Sequence, residues 1–536
     1  MRPDIGGFLP FKSEYDDGVN ADNMENAGNS VELGEKNSPL RPTDYSDAGN
    51  SQVFAQICGK TLSWCDALGW LYFNGINWEQ NDHEAVDLAK GLTGMMLEDA
   101  KNEYTLAEHR VADAKTKLAF ADDGEKAELK EEQTKAKEAV KEAKDYLVHA
   151  QKSRSVQRIK GMLELAKSSL VVKVAQLDAD PHLLNTPSGV IDLRTGQIIP
   201  HYTETSSLYC TRITKVSPAI PGSVSDHNGE KKWRDFLRTI TCEDDSVAGF
   251  LQMVAGMALI GKVYHEGVLI ANGCGRNGKS TFFNALADVL GDYAGYIDSN
   301  VLTTDRQNRG AALATLRGKR LVIAPELEEH QRLSTSTLKK VATIDKLTIE
   351  EKYRSPEDIE QSHTLVLFTN HLPRVGATDD GTWRRIAVAP FNAVISESEG
   401  IQNYADVLVK DAGPVILSWA VEGAMNFIRN AYKLTIPDAV AEATEEYRER
   451  ENWLESFITD CCVKEPGAKA GAKELYSAYR EWSSENGEFI HRAKDFASAL
   501  KDAGFRDTKP GNRRTWHGLR LMQRYGNIGT PWGATG

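Results

Sequence analysis

Short apolar runs, separated by helix-forming segments, follow one another through the middle of the chain. They lie in the segments that begin at Val268, Arg320, His363 and Arg385. Such continuous runs predict strands buried on both faces, because a half-exposed strand would alternate apolar and polar residues. Each run delivers a polar group at its end, and alternating strands and helices predict a parallel sheet with its ligand at the carboxyl edge. The predicted fold class is therefore α/β.

Residues 84–170 show a different periodicity, that of a charged helical hairpin. Apolar residues and alanines recur every seven positions in two series on either side of Gly124. The first series contains Leu97, Tyr104, Val111 and Leu118 with Ala100, Ala107 and Ala114, and the second contains Leu129, Ala136, Ala143 and Ala150 with Val140 and Leu147. Two heptad stretches around a glycine turn predict antiparallel helices with a core made mostly of alanine. The charges predict a solvated face.

The N-terminal segment has two parts of different amino-acid composition. Residues 1–50 are rich in Gly, Asn, Asp, Ser and Pro, and this composition predicts disorder. Aromatic residues follow between Val53 and Trp78, where Asn74-Gly75 predicts a two-residue hairpin turn. Packing within that hairpin is the favoured use of the aromatic side chains, and stacking against nucleic-acid bases is the alternative.

The C-terminal part predicts a winged-helix domain. Helical segments begin at Asp438, Glu474 and Lys494, and a strand–turn–strand pattern follows from Gly504. Basic residues outnumber acidic ones between Arg492 and Arg524, which is the local charge pattern of a nucleic-acid-binding surface. We expect Arg513, Arg514 and the neighbouring Trp516 to face a duplex. The alternative is a small packing domain with a solvated basic face.

Composition limits the function classes. The chain has 536 residues, a net charge of −13 and seven scattered cysteines without metal-ligand spacing. We therefore expect a reducing compartment, no structural zinc and no membrane span. The acidic balance argues against broad coating of nucleic acid, although local contacts to DNA remain compatible with it.

A phosphate-binding loop follows the first apolar run. The pattern G-x-x-x-x-G-K-S begins at Gly273, and an apolar-faced helix continues it. Its glycines let backbone N–H groups surround phosphate oxygens, Lys279 reaches the β- and γ-phosphates of ATP, and Ser280 ligates Mg²⁺. The predicted nucleotide-binding residues are Gly273, Cys274, Gly275, Arg276, Asn277, Gly278, Lys279, Ser280 and Thr281.

An ATPase also needs an acid for the metal, a group that places water and a cation for transition-state charge. Glu326 is the candidate for the metal shell, and Glu328 is the candidate for polarising water. Asn370, at the end of the third run, is the candidate for orienting that water. Arg384 and Arg385 are the candidate cations. The structural alternative for the two glutamates is that they are acids favoured at a helix start by the helix dipole. The alternative for Asn370 is that it is a turn residue.

These motifs occur in a recognisable order. GCGRNGKST, GKRLVIAPELEE, LFTNHLP and DGTWRRI together resemble the superfamily 3 helicases, specifically the phage and plasmid primase–helicase group related to the poxvirus primase–helicase. The resemblance implies an AAA+ fold, a hexameric ring, ATP with Mg²⁺, and translocation along single-stranded DNA. It also implies that Lys279 and Ser280 form Walker A, Glu326 is the Walker B acid, Asn370 is the sensor, and Arg384 or Arg385 is the finger.

The sequence departs from that group at two places. Leu327 separates Glu326 from Glu328, whereas Walker B commonly ends in adjacent acids, so the residue that activates water stays open. The segment before the pore hairpin reads Ala342-Thr343-Ile344-Asp345-Lys346 instead of carrying Gly-Gly-Asp. Lys352 and Arg354 lie in the strand-and-turn segment that follows. They are candidates for contact with DNA phosphates or, equally, exposed charges of a hairpin.

The predicted function is that of an ATP-dependent replicative DNA helicase of a phage, plasmid or related element, acting in the cytoplasm of a bacterial host. Its domains are a disordered segment (1–50), an accessory region (51–232) with the helical hairpin, the ATPase (233–435) and the winged-helix-like domain (436–536). Expected partners are single-stranded and duplex DNA, identical subunits and a separate primase or replication protein. The alternatives are a primase–helicase that makes primers itself and an ATP-regulated origin-binding or loader protein without unwinding.

Overall fold

A computed structural model describes most of the chain. The described residues are 38–201, 205–220, 224–303, 313–327, 331–349, 357–375, 380–396, 401–486, 489–508 and 513–522. Backbone contacts divide the chain into two compact units, Met1–Val53 with Lys90–Arg158 and Phe54–Ala89 with Ile159–Gly536. Helices α1 (Asp47–Cys58) and α2 (Asp82–Ala119) each run from one unit into the other.

The first unit is built on the predicted helical hairpin. Helix α3 (Lys126–Ser153) runs antiparallel to α2, since Lys117 Nζ lies 3.1 Å from Glu132 Oε1 and Tyr146 Oη lies 3.0 Å from Asp99 Oδ2. Five of the six heptad alanines are buried, namely Ala100, Ala107, Ala114, Ala143 and Ala150, and Ala136 is half-buried. The prediction of an alanine-lined antiparallel pair is confirmed. The predicted extent of the hairpin, residues 84–170, is wrong. The hairpin ends at Ser153, and a separate helix, α4 (Val156–Ala166), follows.

The prediction of disorder up to residue 50 is wrong for the described part of that segment. Asn50 is 1 % exposed, donates to Ser153 Oγ at 2.9 Å and lies 2.8 Å from His149 Nε2. Arg41 forms an ion pair with Glu103 at 3.2 Å. Composition misled here because polar side chains tolerate burial when each of them finds a hydrogen-bond partner.

The second unit begins with an antiparallel sheet of β1 (Leu62–Cys65), β2 (Gly69–Phe73) and β3 (Trp78–Gln80). The predicted aromatic hairpin is confirmed, but its two-residue turn is wrong. Phe73 pairs with Trp78, so four residues form the connection. Asn74 Oδ1 accepts the amides of Ile76 at 2.9 Å and Asn77 at 3.0 Å, and these side-chain bonds stabilise the longer loop.

Trp78 is 2 % exposed, and its Nε1 donates to the carbonyl of Ser206 at 2.8 Å. Packing is therefore the role of this aromatic ring. A second antiparallel sheet follows. Its strands are β4 (Leu183–Thr186), β5 (Gly189–Asp192) and β6 (Gln197–Ile199).

A five-stranded parallel sheet forms the centre of the second unit. Its strands are β7 (Val268–Asn272), β8 (Ala294–Tyr296), β9 (Leu321–Ala324), β12 (Thr364–Thr369) and β13 (Ile386–Pro390). The spatial order is β13-β7-β12-β9-β8, and every pairing is parallel. The first strand in sequence is thus internal, with later strands on both sides of it. Four of the five strands match the four apolar runs, and the three-residue strand β8 lacks such a run.

Helices and smaller elements surround this sheet. They are α5 (Val224–Ile240), α6 (Asp245–Met257), α7 (Lys279–Leu290), α8 (Thr335–Val341), the hairpin of β10 (Leu347–Ile349) and β11 (Glu357–Ile359), α9 (Asp380–Trp383) and α10 (Tyr404–Arg429). Alternate residues of β7 enter two different cores. Leu269 and Ala271 pack with α5, α6, α7 and α10, while Val268 and Ile270 pack with α8 on the opposite face. Burial on both faces explains why the strands appear as continuous apolar runs.

The C-terminal part has the element order of a winged helix. Helix α11 (Asp438–Glu451) precedes α12 (Trp453–Cys461), β14 (Cys462–Gly471), α13 (Ala472–Glu485), α14 (Ala493–Asp502), β15 (Arg506–Thr508) and β16 (Thr515–Leu521). The three strands pair in the order β14-β16-β15. The sequence pattern does not predict β14, because Pro466 and Gly467 interrupt it. Its register with β16 shifts between Lys464 and Lys469.

Candidate nucleotide-binding site

The phosphate-binding loop joins the carboxyl end of β7 to the first residue of α7, Lys279. Gly278 has a φ of +82°, and a Cβ there would lie 2.4 Å from Ile240 Cγ2. A Cβ on Gly273 would lie 2.2 Å from both Asn277 Nδ2 and the carbonyl oxygen of Phe391. Both glycines of the motif are therefore required by the packing of the loop itself.

Asn277 braces this loop from inside. Its side chain is 1 % exposed, and its Nδ2 donates to the carbonyls of Phe391 at 3.0 Å and Cys274 at 3.3 Å. The sequence predicted a nucleotide contact for Asn277. Its Nδ2 contacts backbone carbonyls, and its Oδ1 accepts from the Lys279 amide at 3.4 Å and from Lys279 Nζ at 3.5 Å. The motif accepts any residue at this position, so the spacing carried no signal for the bracing role.

Three predicted site residues form one hydrogen-bonded chain. Lys279 Nζ donates to Asn370 Oδ1 at 2.6 Å, and Asn370 Nδ2 donates to Glu326 Oε1 at 2.7 Å. These residues lie at or just beyond the carboxyl ends of β7, β12 and β9, which are neighbours in the sheet. The adjacency of the strands therefore brings together a cation, an amide and a carboxylate that are far apart in sequence.

The environment of Lys279 differs from that of a surface lysine. The residue is 4 % exposed, and its ammonium also donates to the carbonyl of Gly273 at 2.9 Å. Burial lowers the pKa of Lys279, and the negative charge of Glu326 opposes that shift. The ammonium is thus held beside the loop by neutral acceptors, with a carboxylate one hydrogen bond further away.

The remaining predicted loop residues surround this chain. Cys274, Gly275, Arg276 and Ser280 are exposed, and Thr281 is half-buried. Glu326 is also exposed, and its backbone carbonyl accepts from Ser299 Oγ at 2.9 Å. Glu328 lies outside the described residues. Among the residues that the structure describes, no group of three or more His, Cys, Asp or Glu side chains is arranged to hold a metal.

The two candidate finger arginines lie at the opposite edge of the sheet. Both precede β13, whose first residue, Ile386, is in register with Val268 at the start of β7. Five residues of strand separate that edge from the phosphate loop, which is about 17 Å. Arg385 is 11 % exposed and pairs with Glu266 at 2.6 Å, whereas the Arg384 side chain is 67 % exposed and lies 4.0 Å from the same carboxylate.

The predicted DNA-binding residues are only partly described. Lys352 and Arg354 lie outside the described residues, between β10 and β11. Arg513 is exposed, and Arg514 pairs with Asp507 while its guanidinium lies 5.8 Å from the centre of the Trp516 ring. Trp516 itself is 1 % exposed within the domain core, so the expectation that it faces a duplex is wrong.

Comparison with known proteins finds matches to two family models, each over part of the chain. Residues 51–242 match the family described as D5 N terminal like, and residues 271–385 match a family of unknown function, DUF5906. A protein named "Putative helicase L207/L206" of Acanthamoeba polyphaga mimivirus is 26% identical over 329 residues, covering 58% of this chain and 34% of that protein. These matches support the primase–helicase resemblance that the sequence motifs carry.

Other viral proteins show similar levels of identity to this chain. "Putative primase C962R" of African swine fever virus (isolate Warthog/Namibia/Wart80/1980) is 25% identical over 382 residues, covering 66% of this chain and 39% of that protein. "Putative helicase 022R" of Frog virus 3 (isolate Goorha) is 24% identical, covering 45% and 27%. The chain thus spans little more than a third of the length of the first two relatives.

Among solved structures, the apo C-terminal region of NrS-1 is similar at a TM-score of 0.35 and 17% identity, covering 51% of this chain and 58% of that one. The three curated relatives named above are viral proteins, and they do not establish the bacterial host that the sequence analysis expected. No helix in the described part of the chain is long and apolar enough to cross a membrane.

Proposed function

We propose that this protein is the ATP-driven motor of a DNA helicase with an AAA+ fold, and that it works as a ring on single-stranded DNA. The observation that carries the proposal is the hydrogen-bonded chain from Lys279 through Asn370 to Glu326, next to a phosphate-binding loop. Phosphoryl transfer needs a cation, a water-orienting group and an acid in one place. The three side chains supply these groups at one sheet edge.

The sheet topology supports the same proposal. The strand that precedes the phosphate loop is internal, and the chain continues to strands on both of its sides. In open α/β sheets, ligands bind at the carboxyl ends of the strands where the strand order changes direction. Lys279, Asn370 and Glu326 all lie at that edge.

Ser280 and Glu326 would hold Mg²⁺ beside the nucleotide. Magnesium takes one or two protein oxygen ligands and keeps waters and substrate phosphate oxygens for its remaining positions. An exposed hydroxyl and an exposed carboxylate fit that requirement, even though no cluster of three acids occurs in the described residues. When bound, the ion neutralises charge that develops on the phosphates.

The arginine geometry supports a ring. Arg384 and Arg385 lie across the sheet from the phosphate loop of their own subunit, so a finger role requires the nucleotide of a neighbour. Arg385 is held by Glu266 and by the carbonyl of Gly381 at 2.7 Å, whereas Arg384 is largely exposed. Arg384 is therefore the better candidate for the finger. A head-to-tail interface that closes on itself generates a ring, and we propose a hexamer.

DNA contacts are proposed for two regions, Lys352 and Arg354 between β10 and β11 and the basic surface of the C-terminal domain with Arg513. Among the described residues, no group of three or more His, Cys, Asp or Glu side chains could hold a metal ion, so nothing there supports primer synthesis. The alternative function is non-enzymatic: a loader protein that binds ATP but whose ATP turnover is not stimulated by DNA.

DNA-stimulated ATP hydrolysis tests the proposal. We expect turnover by the wild type to rise when single-stranded DNA is added, and Lys279→Ala to lower kcat by at least about 10²-fold. The matched control is Lys215→Ala, because Lys215 is an exposed lysine paired with Asp288 away from the loop. Circular dichroism melting checks that Lys279→Ala is folded. ATP turnover that ignores DNA, or that survives in Lys279→Ala, would overturn the assignment.

A further inference from the structure

Glu266 joins two parts of the second unit that are far from each other in sequence. It lies two residues before β7, at the amino edge of the sheet, and its side chain is 27 % exposed. One carboxylate oxygen, Oε1, accepts from Thr343 Oγ1 at 2.8 Å and from the amide of Ile344 at 3.4 Å. The other, Oε2, accepts from Arg385 Nη2 at 2.6 Å and lies 4.0 Å from Arg384 Nη2.

Thr343 and Ile344 form the base of the β10–β11 hairpin, because β10 begins three residues after Ile344. The returning side of the hairpin is fixed to the same base. Gln361 Nε2, two residues after β11, donates to the carbonyls of Lys340 at 2.8 Å and Asp345 at 2.9 Å. A displacement of the Thr343 backbone would therefore be passed to both strands of the hairpin.

The electrostatics favour an ionised Glu266 that depends on all of these partners. Burial by itself would raise the pKa of Glu266, but the Thr343 and Ile344 hydrogen bonds and the charges of Arg385 and Arg384 outweigh it and lower the pKa. Each oxygen is committed to a different element. The carboxylate is thus a rigid link between the arginine turn and the hairpin base.

We propose that Glu266 is a positioning residue that couples the Arg384–Arg385 turn to the β10–β11 hairpin. This inference rests on the proposed function, in which the arginine turn faces a neighbour's nucleotide. A phosphate that attracts Arg384 competes with Glu266 for it, and the carboxylate then shifts toward its remaining partners, Arg385 and Thr343. The nucleotide state of one subunit in this way biases the position of the hairpin in the next.

The test is the ratio of ATP turnover with saturating single-stranded DNA to turnover without it. We expect Glu266→Gln to lower this ratio by about fivefold or more, a typical coupling between linked sites. Thr343→Val removes the Thr343 Oγ1 hydrogen bond on the hairpin side of the link, leaves that of the Ile344 amide, and should also lower the ratio. The double variant should be no worse than Glu266→Gln alone, because the Thr343 effect acts through Glu266. A merely structural role for Thr343 would instead give additive losses.

Glu243→Gln is the matched control, since Glu243 is an exposed carboxylate paired with Arg238 at 2.9 Å. Thermal melting and sedimentation show whether each variant folds and assembles, and Thr343→Val carries the test if Glu266→Gln does not fold. If Glu266→Gln kept the wild-type ratio of turnover with DNA to turnover without it, the coupling role would be overturned and the proposed motor would stand. The same result in Thr343→Val would have this meaning if Glu266→Gln does not fold. A wild type without DNA-stimulated turnover would overturn both.

Discussion

At the scale of the residue, the site depends on how polar side chains share their hydrogen bonds. Sequence motifs identified Lys279, Glu326 and Asn370 separately, because each follows a recognisable apolar run. Their connection into one chain depends on strand order, which no local pattern contains. The bracing role of Asn277 and the link made by Glu266 were not predicted, for a related reason. Their roles come from contacts with Phe391 and Arg385, each more than a hundred residues away.

Asn370 provides the sharpest residue-scale prediction. Asn370→Ala removes both the acceptor for Lys279 and the donor to Glu326, so we expect kcat for ATP to fall about 10²-fold. Nucleotide affinity should change much less, because the phosphate loop and Lys279 remain. Single-turnover kinetics and calorimetry with a non-hydrolysable ATP analogue separate the two quantities. Asn284→Ala, at an asparagine of α7 that contacts Tyr296, is the control. Unchanged kcat would exclude Asn370 from the site.

At the scale of the element, continuous apolar runs predicted β7, β9, β12 and β13 because these strands are buried on both faces. Strands β8 and β14 were not predictable in this way, since one has three residues and the other contains Pro466 and Gly467. Heptad alanines predicted the α2–α3 pair correctly. The Asn74-Gly75 turn failed because side-chain bonds from Asn74 stabilised a four-residue loop.

The basic surface of α14 is an element whose function is testable. Arg492 and Lys494 are exposed and form no ion pair with a residue whose side chain the structure describes. We expect Arg492→Ala with Lys494→Ala to weaken duplex binding and to lower the slope of log affinity against log salt by about one per lost phosphate contact. Lys464→Ala is the control, since Lys464 is paired with Glu455 at 2.6 Å. An unchanged slope would identify the domain as a packing module.

At the scale of the whole molecule, the proposed motor needs more than one copy of the chain. The fold keeps the arginine turn and the phosphate loop at opposite edges of one sheet, so the proposed finger role of either arginine requires a second subunit. The sequence predicted this arrangement only through its family resemblance. The structure adds the geometric reason, namely the register of β13 with β7.

Mixing variants tests this shared site. Arg384→Ala with Arg385→Ala should bind ATP and hydrolyse it about a thousandfold more slowly, because the arginine acts on charge that appears only in the transition state. Lys279→Ala should be equally inactive alone. Mixed rings place an intact phosphate loop beside an intact arginine turn, and we expect partial recovery of turnover. No recovery in rings shown to exchange subunits would exclude both arginines from the site.

Unwinding of forked DNA is the most direct test of whether this protein is a DNA motor driven by ATP hydrolysis. The substrate carries a fluorophore and a quencher at its duplex end, and strand separation is followed in time with ATP and Mg²⁺. We predict that the wild type separates the strands only when ATP is hydrolysed, and that neither a non-hydrolysable analogue nor the Lys279→Ala variant supports separation. Strand separation by Lys279→Ala, or an active ATPase that leaves every fork intact, would contradict the account of this protein as a DNA motor.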